Sequence, residues 1–342
     1  MKFNLENLVR PNILKLQAYS SARSEYTGQA NVLLDANENP FGNLNRYPDP
    51  LQKSLKNALS QIKNVPAEQI FIGNGSDEVI DLAFRIFCTP NIDKVLTFTP
   101  TYGMYKVSAA INDVEVLTEK LDAGFQINTR NLKPTLEDKN LKIVFLCSPN
   151  NPTGNCLRSE DIEFILQNFK GIVIIDEAYI DFAEQASWVN RLPDFPNLII
   201  SQTFSKAYGL AATRVGIAYM NEAILHYFNK TKPPYNVSQL NQNAALQSLK
   251  NYDEYKSRLQ LILQQKRRLE QSLSTFSYVK KIYSSDANFL LVEVENAIEL
   301  YDYLKAEKII VRNRDKEVKN CLRFTIGDER ENDLLLEKLA AF

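Results

Sequence analysis

The sequence predicts an α/β protein: a large domain built on a mostly parallel sheet between helices, followed by a smaller α+β domain. Three features predict it. Short apolar runs alternate with stretches whose apolar residues recur at helical spacing, from about residue 69 to residue 220. Polar turn residues cluster where those runs stop, which is where open α/β sheets carry their ligands. After Pro233-Pro234-Tyr235-Asn236 the alternation gives way to a long charged helix, paired strands and a final helix. The expected divisions are an N-terminal arm over 1–30, a large domain over 31–237 and a small domain over 238–342.

In chain order, Val9-Arg10-Pro11 places proline where a helix's first turn accepts it, and the arm is expected to pack on another surface. Val32-Leu33-Leu34 predicts a brief strand ending in a turn rich in Asn, Pro and Gly. Leu51, Leu55, Leu59 and Ile62 mark an amphipathic helix introduced by Pro48 and Pro50. A strand over Gln69–Ile72 enters Gly73-Asn74-Gly75-Ser76 and a helix with Val79, Ile80, Ala83, Phe84 and Phe87 on its apolar side. Asp77 and Glu78 fall in that helix's first turn, where the dipole favours acidic groups. Such a glycine-rich turn can cradle phosphate with backbone N–H groups, although a plain tight turn has the same residues.

Lys94–Phe98 predicts a strand leading to Pro100-Thr101-Tyr102-Gly103-Met104-Tyr105 and a further helix. Ile143–Cys147 is a longer apolar strand that stops at Ser148-Pro149-Asn150-Asn151-Pro152-Thr153-Gly154. Ile162, Ile165, Leu166 and Phe169 predict a helix, and Ile172–Ile175 a buried strand ending at Asp176-Glu177-Ala178-Tyr179. Beyond Ser238 the pattern gives a helix, a charged helix through Lys256 to Lys266, and strands over Tyr278–Tyr283 and Asn288–Val294. A further helix, strands over Lys308–Arg312 and Cys321–Ile326, and a terminal helix follow.

Composition narrows the chemistry. The chain has 342 residues, 44% hydrophobic and 24% charged, with net charge −1, so no polybasic footprint for nucleic acid or an anionic membrane exists. No apolar run approaches the ~20 residues needed to cross a bilayer. Cys88, Cys147, Cys156 and Cys321 are scattered, with no Cys-x-x-Cys pair, and read as reduced thiols of a cytoplasmic protein. The single histidine, His226, lies in an ordinary helix pattern, which argues against Ser-His-Asp catalysis and histidine-rich metal sites. No metal is expected. Acid–base work falls to lysine, tyrosine or a carboxylate.

The run Leu198-Ile199-Ile200 breaks into the polar loop Ser201-Gln202-Thr203-Phe204-Ser205-Lys206, and Arg214 follows. A lysine beside a cation and away from bulk water has its ammonium form disfavoured, so its free amine can condense with a carbonyl. An arginine fork with the hydroxyls of Ser205 and Ser201 suits a phosphate dianion. A carbonyl-trapping lysine beside a phosphate clamp points to pyridoxal 5′-phosphate. Asp176, at a buried strand's end, is placed to pair with a pyridinium N–H⁺, although Asp-x-x-Tyr alone also describes a simple loop.

This stretch, with Asp-x-x-Tyr, Asn-Pro-Thr-Gly and Leu-Arg-Phe-Thr-Ile-Gly, resembles the fold-type I pyridoxal-phosphate-dependent aminotransferases, in particular the histidinol-phosphate aminotransferase family, over nearly the whole chain. The resemblance implies that Lys206 carries the cofactor, that Asp176 pairs with its ring nitrogen, and that Tyr179 and Asn151 bond its phenolic oxygen. Tyr102 would stack on the ring. Gly75, Ser76, Asp77, Ser205 and Arg214 would hold the phosphate, with Tyr47 reaching the neighbouring subunit's cofactor in a homodimer with shared sites. Arg323 would grip the substrate carboxylate, and Arg312, helped by Tyr19 and Arg23, the substrate phosphate; Asn151 also faces the substrate. Ala211-Ala212-Thr213 and a slightly short loop between Arg312 and Arg323 depart from the family pattern, the second bearing on substrate choice.

The activity implied is transfer of an amino group from histidinol phosphate to 2-oxoglutarate, giving imidazole acetol phosphate and glutamate in histidine biosynthesis. An aromatic-amino-acid aminotransferase and a threonine-phosphate decarboxylase share every cofactor residue and differ only in the substrate pocket. A regulator that senses pyridoxal phosphate is the non-enzyme rival, disfavoured because it would need a basic DNA-binding module.

Overall fold

The computed structural model describes residues 3–20, 22–26, 28 and 30–342; Met1, Lys2, Ser21, Thr27 and Gln29, all in the expected arm, lie outside the described residues. Seven strands form the large sheet: β1 (Ile70–Asn74), β2 (Lys94–Thr99), β3 (Glu115–Lys120), β4 (Leu141–Cys147), β5 (Ile172–Asp176), β6 (Leu198–Thr203) and β7 (Val215–Met220). Their spatial order is β1-β7-β6-β5-β4-β2-β3. Neighbours from β3 to β6 are parallel, whereas β7 runs antiparallel to both β1 and β6.

Strand composition follows from burial on two faces. Every residue of β5, β6 and β7 is buried. Val173 and Ile175 point into one apolar layer with Ile72 and Ile217, while Ile172 and Ile174 point into the other with Phe145 and Met220. Edge strand β3 carries Glu115, Glu119 and Lys120 outward, the charges that keep an exposed edge from pairing with another chain.

The small sheet is antiparallel, in the order β10-β11-β9-β8, from β8 (Val279–Ile282), β9 (Phe289–Val294), β10 (Arg312–Asn313) and β11 (Cys321–Thr325). Leu290, Val292, Leu322 and Phe324 face a core shared with Leu269 and Leu273 of the helix Tyr252–Leu273 and Leu335 and Leu339 of the last helix. The alternate residues, Phe289 and Arg323 among them, turn toward the large domain, whose core Phe289 joins. The helix Gln239–Lys250 buries Ala245 and Leu249 in that same large core, although it follows the change of pattern at residue 238.

Two local expectations are corrected. Val32-Leu33-Leu34 forms no strand: among the described residues no backbone pairs with it as a strand, and Val32 and Leu34 are 70% and 90% exposed. Of Lys308–Arg312 only Arg312 joins a ladder, because pairing starts at Arg312↔Arg323 and leaves Ile310 outside. The start of the arm does pack on another surface, that of the large domain, with Val9 and Ile13 buried in one of its layers and Arg10 N–H bonded to Ile86 O at 2.9 Å, and Pro11 opens the helix Pro11–Lys15.

Candidate active site

Ends of β4, β5 and β6 converge with the start of the helix Ser76–Phe87 on one pocket. Antiparallel β7 brings that helix in. It returns beside β1, pairing Gly216 with Gly73, and a Cβ on Gly216 would stand 2.3 Å from Gly75 C and Ser76 N. Only glycine allows this approach. Gly75 itself has φ +77°, and a Cβ there would press Arg214 Nη2 at 2.7 Å, so two glycines bring the helix N-terminus and the guanidinium together. Ser76, Asp77, Ser205 and Arg214 line this end, where N–H groups and dipole favour an anion. Arg214 Nη2 lies 3.5 Å from Asp77 Oδ2, and Tyr102 OH donates to Asp77 Oδ1 at 3.2 Å.

Lys206, Asp176, Tyr179, Asn151 and Tyr102 line the rest. Lys206 Nζ lies 5.6 Å from the Tyr179 ring centre. Burial lowers its pKa, and Arg323 and Arg214 add to this against the opposing pull of Asp176, so the ammonium form is less favoured than in an ordinary lysine. Asp176 is buried at the end of β5, and burial pushes its carboxyl up to about 6 despite bonds from Tyr105 OH to Oδ2 at 2.8 Å and from Ala178 N–H to Oδ1 at 3.2 Å. Tyr179 and Tyr102 have their pKa values raised by burial, so both remain hydroxyl donors. Buried Asn150 ties the two neighbouring turns together: its amide donates to Pro100 O at 2.9 Å, and its carbonyl accepts from Thr101 Oγ1 at 2.9 Å. That sets the turns carrying Tyr102 and Asn151.

Arg323 reaches in from the small domain. Its Nη1 donates to Asn151 Oδ1, and its guanidinium sits 4.9 Å from the Phe289 ring centre. Arg312 is directly opposite on β10 and shares its face, but is exposed.

Three further expected residues do not line this chain's own pocket. Tyr19 is 71% exposed, and Arg23 is held by Asp35 and Glu38 and bonded to Tyr47 O. Tyr47 stacks on Tyr235 at 4.4 Å beside a separate groove. Ser201 is also corrected: its hydroxyl is sealed inside the sheet without a hydrogen-bond partner among the described residues, and Thr203, two residues on, lines the pocket instead. Two residues escaped the sequence reading. Tyr105 looks like a core aromatic, its only hint being its position three after Tyr102. Arg314, next in the face of Arg312 and Arg323, is 15% exposed and raises no signal in a stretch already rich in charge.

The pocket's donor set fits pyridoxal 5′-phosphate: a cradle at a helix N-terminus for the phosphate, a lysine with a disfavoured charge for the aldehyde, and a buried carboxylate for the ring nitrogen. On a seven-stranded sheet with one antiparallel member, that set is the architecture of a fold-type I enzyme dependent on this cofactor. The chain belongs to the aminotransferase class I and II family, whose model matches residues 13–339. Histidinol-phosphate aminotransferase of Flavobacterium psychrophilum is 48% identical over 99% of both chains. The crystal structure of histidinol-phosphate aminotransferase from Clostridium acetobutylicum superposes with TM-score 0.80 at 27% identity, covering 87% of this chain and 91% of that one. The enzyme of the same name from Sinorhizobium meliloti, solved in complex with pyridoxal-5′-phosphate, shares the fold with TM-score 0.79 at 24% identity, covering 86% and 83%.

Proposed function

We propose that this aminotransferase moves the amino group of histidinol phosphate to 2-oxoglutarate, yielding imidazole acetol phosphate and glutamate in histidine biosynthesis. The observation that carries the substrate is the arginine face of the small sheet, where Arg312 and Arg323 lie opposite each other with Arg314 two residues along. Planar guanidinium forks suit phosphate and carboxylate oxygens better than lysine does. The near full-length relative named for this activity supports the same reading.

When bound, the cofactor supplies an aldehyde that links to amines and a cationic ring that draws electrons from the neighbouring carbon. The rest is the protein's work. Lys206 would provide the amine that links to the aldehyde, and its Nζ would also be the base that takes the proton from the substrate's reacting carbon and returns it to the product side. Asp176 holds a negative charge against the ring nitrogen. Tyr179 and Asn151 would donate to the phenolic oxygen, and the Tyr102 ring would pack against the cofactor's ring. Arg214, Ser205 and the Gly75-Ser76-Asp77 turn hold the phosphate. Arg323 grips the α-carboxylate of glutamate and can serve the phosphate of histidinol phosphate, which has no such carboxylate; Arg312 adds to the phosphate's site.

Tyr47 and Tyr19 belong to the partner's pocket in this reading, in a homodimer of the cytoplasm. Both are exposed, as are Leu34 and Phe41, and exposed large apolar side chains of this kind are what a second copy would cover. A panel of amino donors with 2-oxoglutarate tests the substrate: histidinol phosphate should lead. Preference for phenylalanine would make this an aromatic aminotransferase, and release of carbon dioxide from threonine phosphate a decarboxylase.

A further inference from the structure

We propose that Tyr105 is a positioning residue for the Asp176 carboxylate, its hydroxyl fixing both the orientation of that group and the pH range over which it stays ionised. The inference rests on the reading that Asp176 serves the cofactor's ring nitrogen.

Tyr105 is the second residue of the helix Met104–Ile111 and is completely buried. Its ring stacks on Phe145 of β4 at 4.7 Å and 14°, and meets Tyr102 edge-on at 5.6 Å. A phenolic hydroxyl sealed in such a layer must find a partner, because leaving it unpaired costs the full loss of its hydration. The partner is Asp176 Oδ2, 2.8 Å away and 71 residues along the chain. The other oxygen, Oδ1, accepts from Ala178 N–H at 3.2 Å. Rotation of a carboxylate about its last torsion is soft. One donor on each oxygen stops it and leaves the remaining lone pairs to the pocket.

The charges around Asp176 oppose one another. Burial and Asp77, from the helix Ser76–Phe87, favour the protonated acid; Tyr105 OH, Ala178 N–H and Lys206 favour the anion. Cys147 on β4 and the neighbouring hydroxyls of Tyr102 and Tyr179 complete the surroundings, and burial leaves all three protonated. The Tyr105 phenol is itself pushed well above its usual range, first by burial and then by Asp176, so it remains a proton donor throughout the working pH range. Of these groups Tyr105 bonds Asp176 without facing the cofactor's pocket, so it can set the carboxylate's behaviour without touching what binds there.

Tyr105→Phe removes one oxygen and keeps the ring on Phe145. The measurement is the affinity of the cofactor-free protein for pyridoxal 5′-phosphate across pH, with the melting temperature as the folding control. Affinity should fall on acidification as Asp176 takes up its proton. Losing a hydrogen bond to a charged group should move that fall to higher pH by about one to two units. The cofactor's own ionisations are common to both proteins and cancel in the comparison. Adding Tyr105→Phe to Asp176→Asn should change the profile no further, because the hydroxyl then has no carboxylate to act through. Site-specific 3-fluorotyrosine at position 105, a stronger donor of nearly the same shape, should move the fall to lower pH, and provides the test if Tyr105→Phe does not fold. An unmoved profile in Tyr105→Phe, alongside a changed one in Asp176→Asn, overturns the role of Tyr105 alone. A wild-type profile in Asp176→Asn overturns the reading of Asp176, and this proposal with it.

Discussion

Arg323 of the small domain donates through Nη1 to Oδ1 of Asn151 on the large domain, joining β11 to the turn that ends β4. Its Nε is buried without a hydrogen-bond partner among the described residues, as is that of Arg314 on the same face. A guanidinium held in place by Asn151 and Phe289, with a donor still to satisfy, is prepared to take an anion. Truncating a buried partner of a charged group costs about 2–5 kcal/mol, or about 30- to 4,000-fold. Arg323→Ala should therefore slow the glutamate half-reaction by a factor in that range. Arg312→Ala should cut kcat/KM for histidinol phosphate far more than for phenylalanine. Following each half-reaction separately by cofactor absorbance checks both; equal losses for the two donors in Arg312→Ala would remove that residue from the phosphate site.

Lys206 is the lysine that the pocket contains. Lys206→Ala should abolish the borohydride-reducible link to pyridoxal 5′-phosphate and reduce turnover by several orders of magnitude. Mass spectrometry after reduction locates the link, and an active variant labelled at another lysine would refute the assignment.

Asp176 bears on stability as well as chemistry. Its carboxyl titrates near 6 in the fold and near 3.8 when unperturbed. Between those values the folded protein holds a proton that the unfolded chain has released, so Asp176 favours folding below about 4 and its cost is complete above about 6. Asp176→Asn should then stabilise the cofactor-free protein at pH 8 by up to ~3 kcal/mol, with the gain vanishing on acidification toward pH ~4. Denaturant titrations at several pH values measure it. The same variant should still take up the cofactor, though more weakly than wild type, and lose orders of magnitude in turnover, because the neutral amide cannot hold the ring's charge.

Tyr47 stacks on Tyr235, away from its own chain's pocket. If it serves the partner's cofactor, a Lys206→Ala chain mixed with a Tyr47→Ala chain should regain activity, since one hybrid site has both residues intact. Purified heterodimers no more active than either parent would show that each site is built from one chain.

The sequence was most legible where burial leaves no choice. Ile172–Ile175 is covered on both faces, so it appears as an unbroken apolar run, and the carboxylate that stops it, Asp176, stands at the pocket. Lys206 was legible for the same reason, placed by the loop that ends β6. Val32–Leu34 misled because three apolar residues promise a strand only when another strand is beside them. Ser201 misled because a polar residue near a strand's end can lie inside the sheet as easily as at its mouth.

By itself, then, the sequence determined the alternation of elements and the strand ends, and it pointed to Lys206 and Asp176 through local periodicity and residue chemistry, whereas Tyr179 and Arg323 were named by the family resemblance. Only the tertiary structure decided that β7 turns back between β1 and β6 to set Gly216 against Gly75, that Tyr105 OH donates to Asp176, and that Arg323 meets Asn151. Those contacts join residues from 71 to 172 positions apart. They depend on which strand pairs with which, and pairing is settled by the simultaneous burial of every face, a property no single stretch of chain contains.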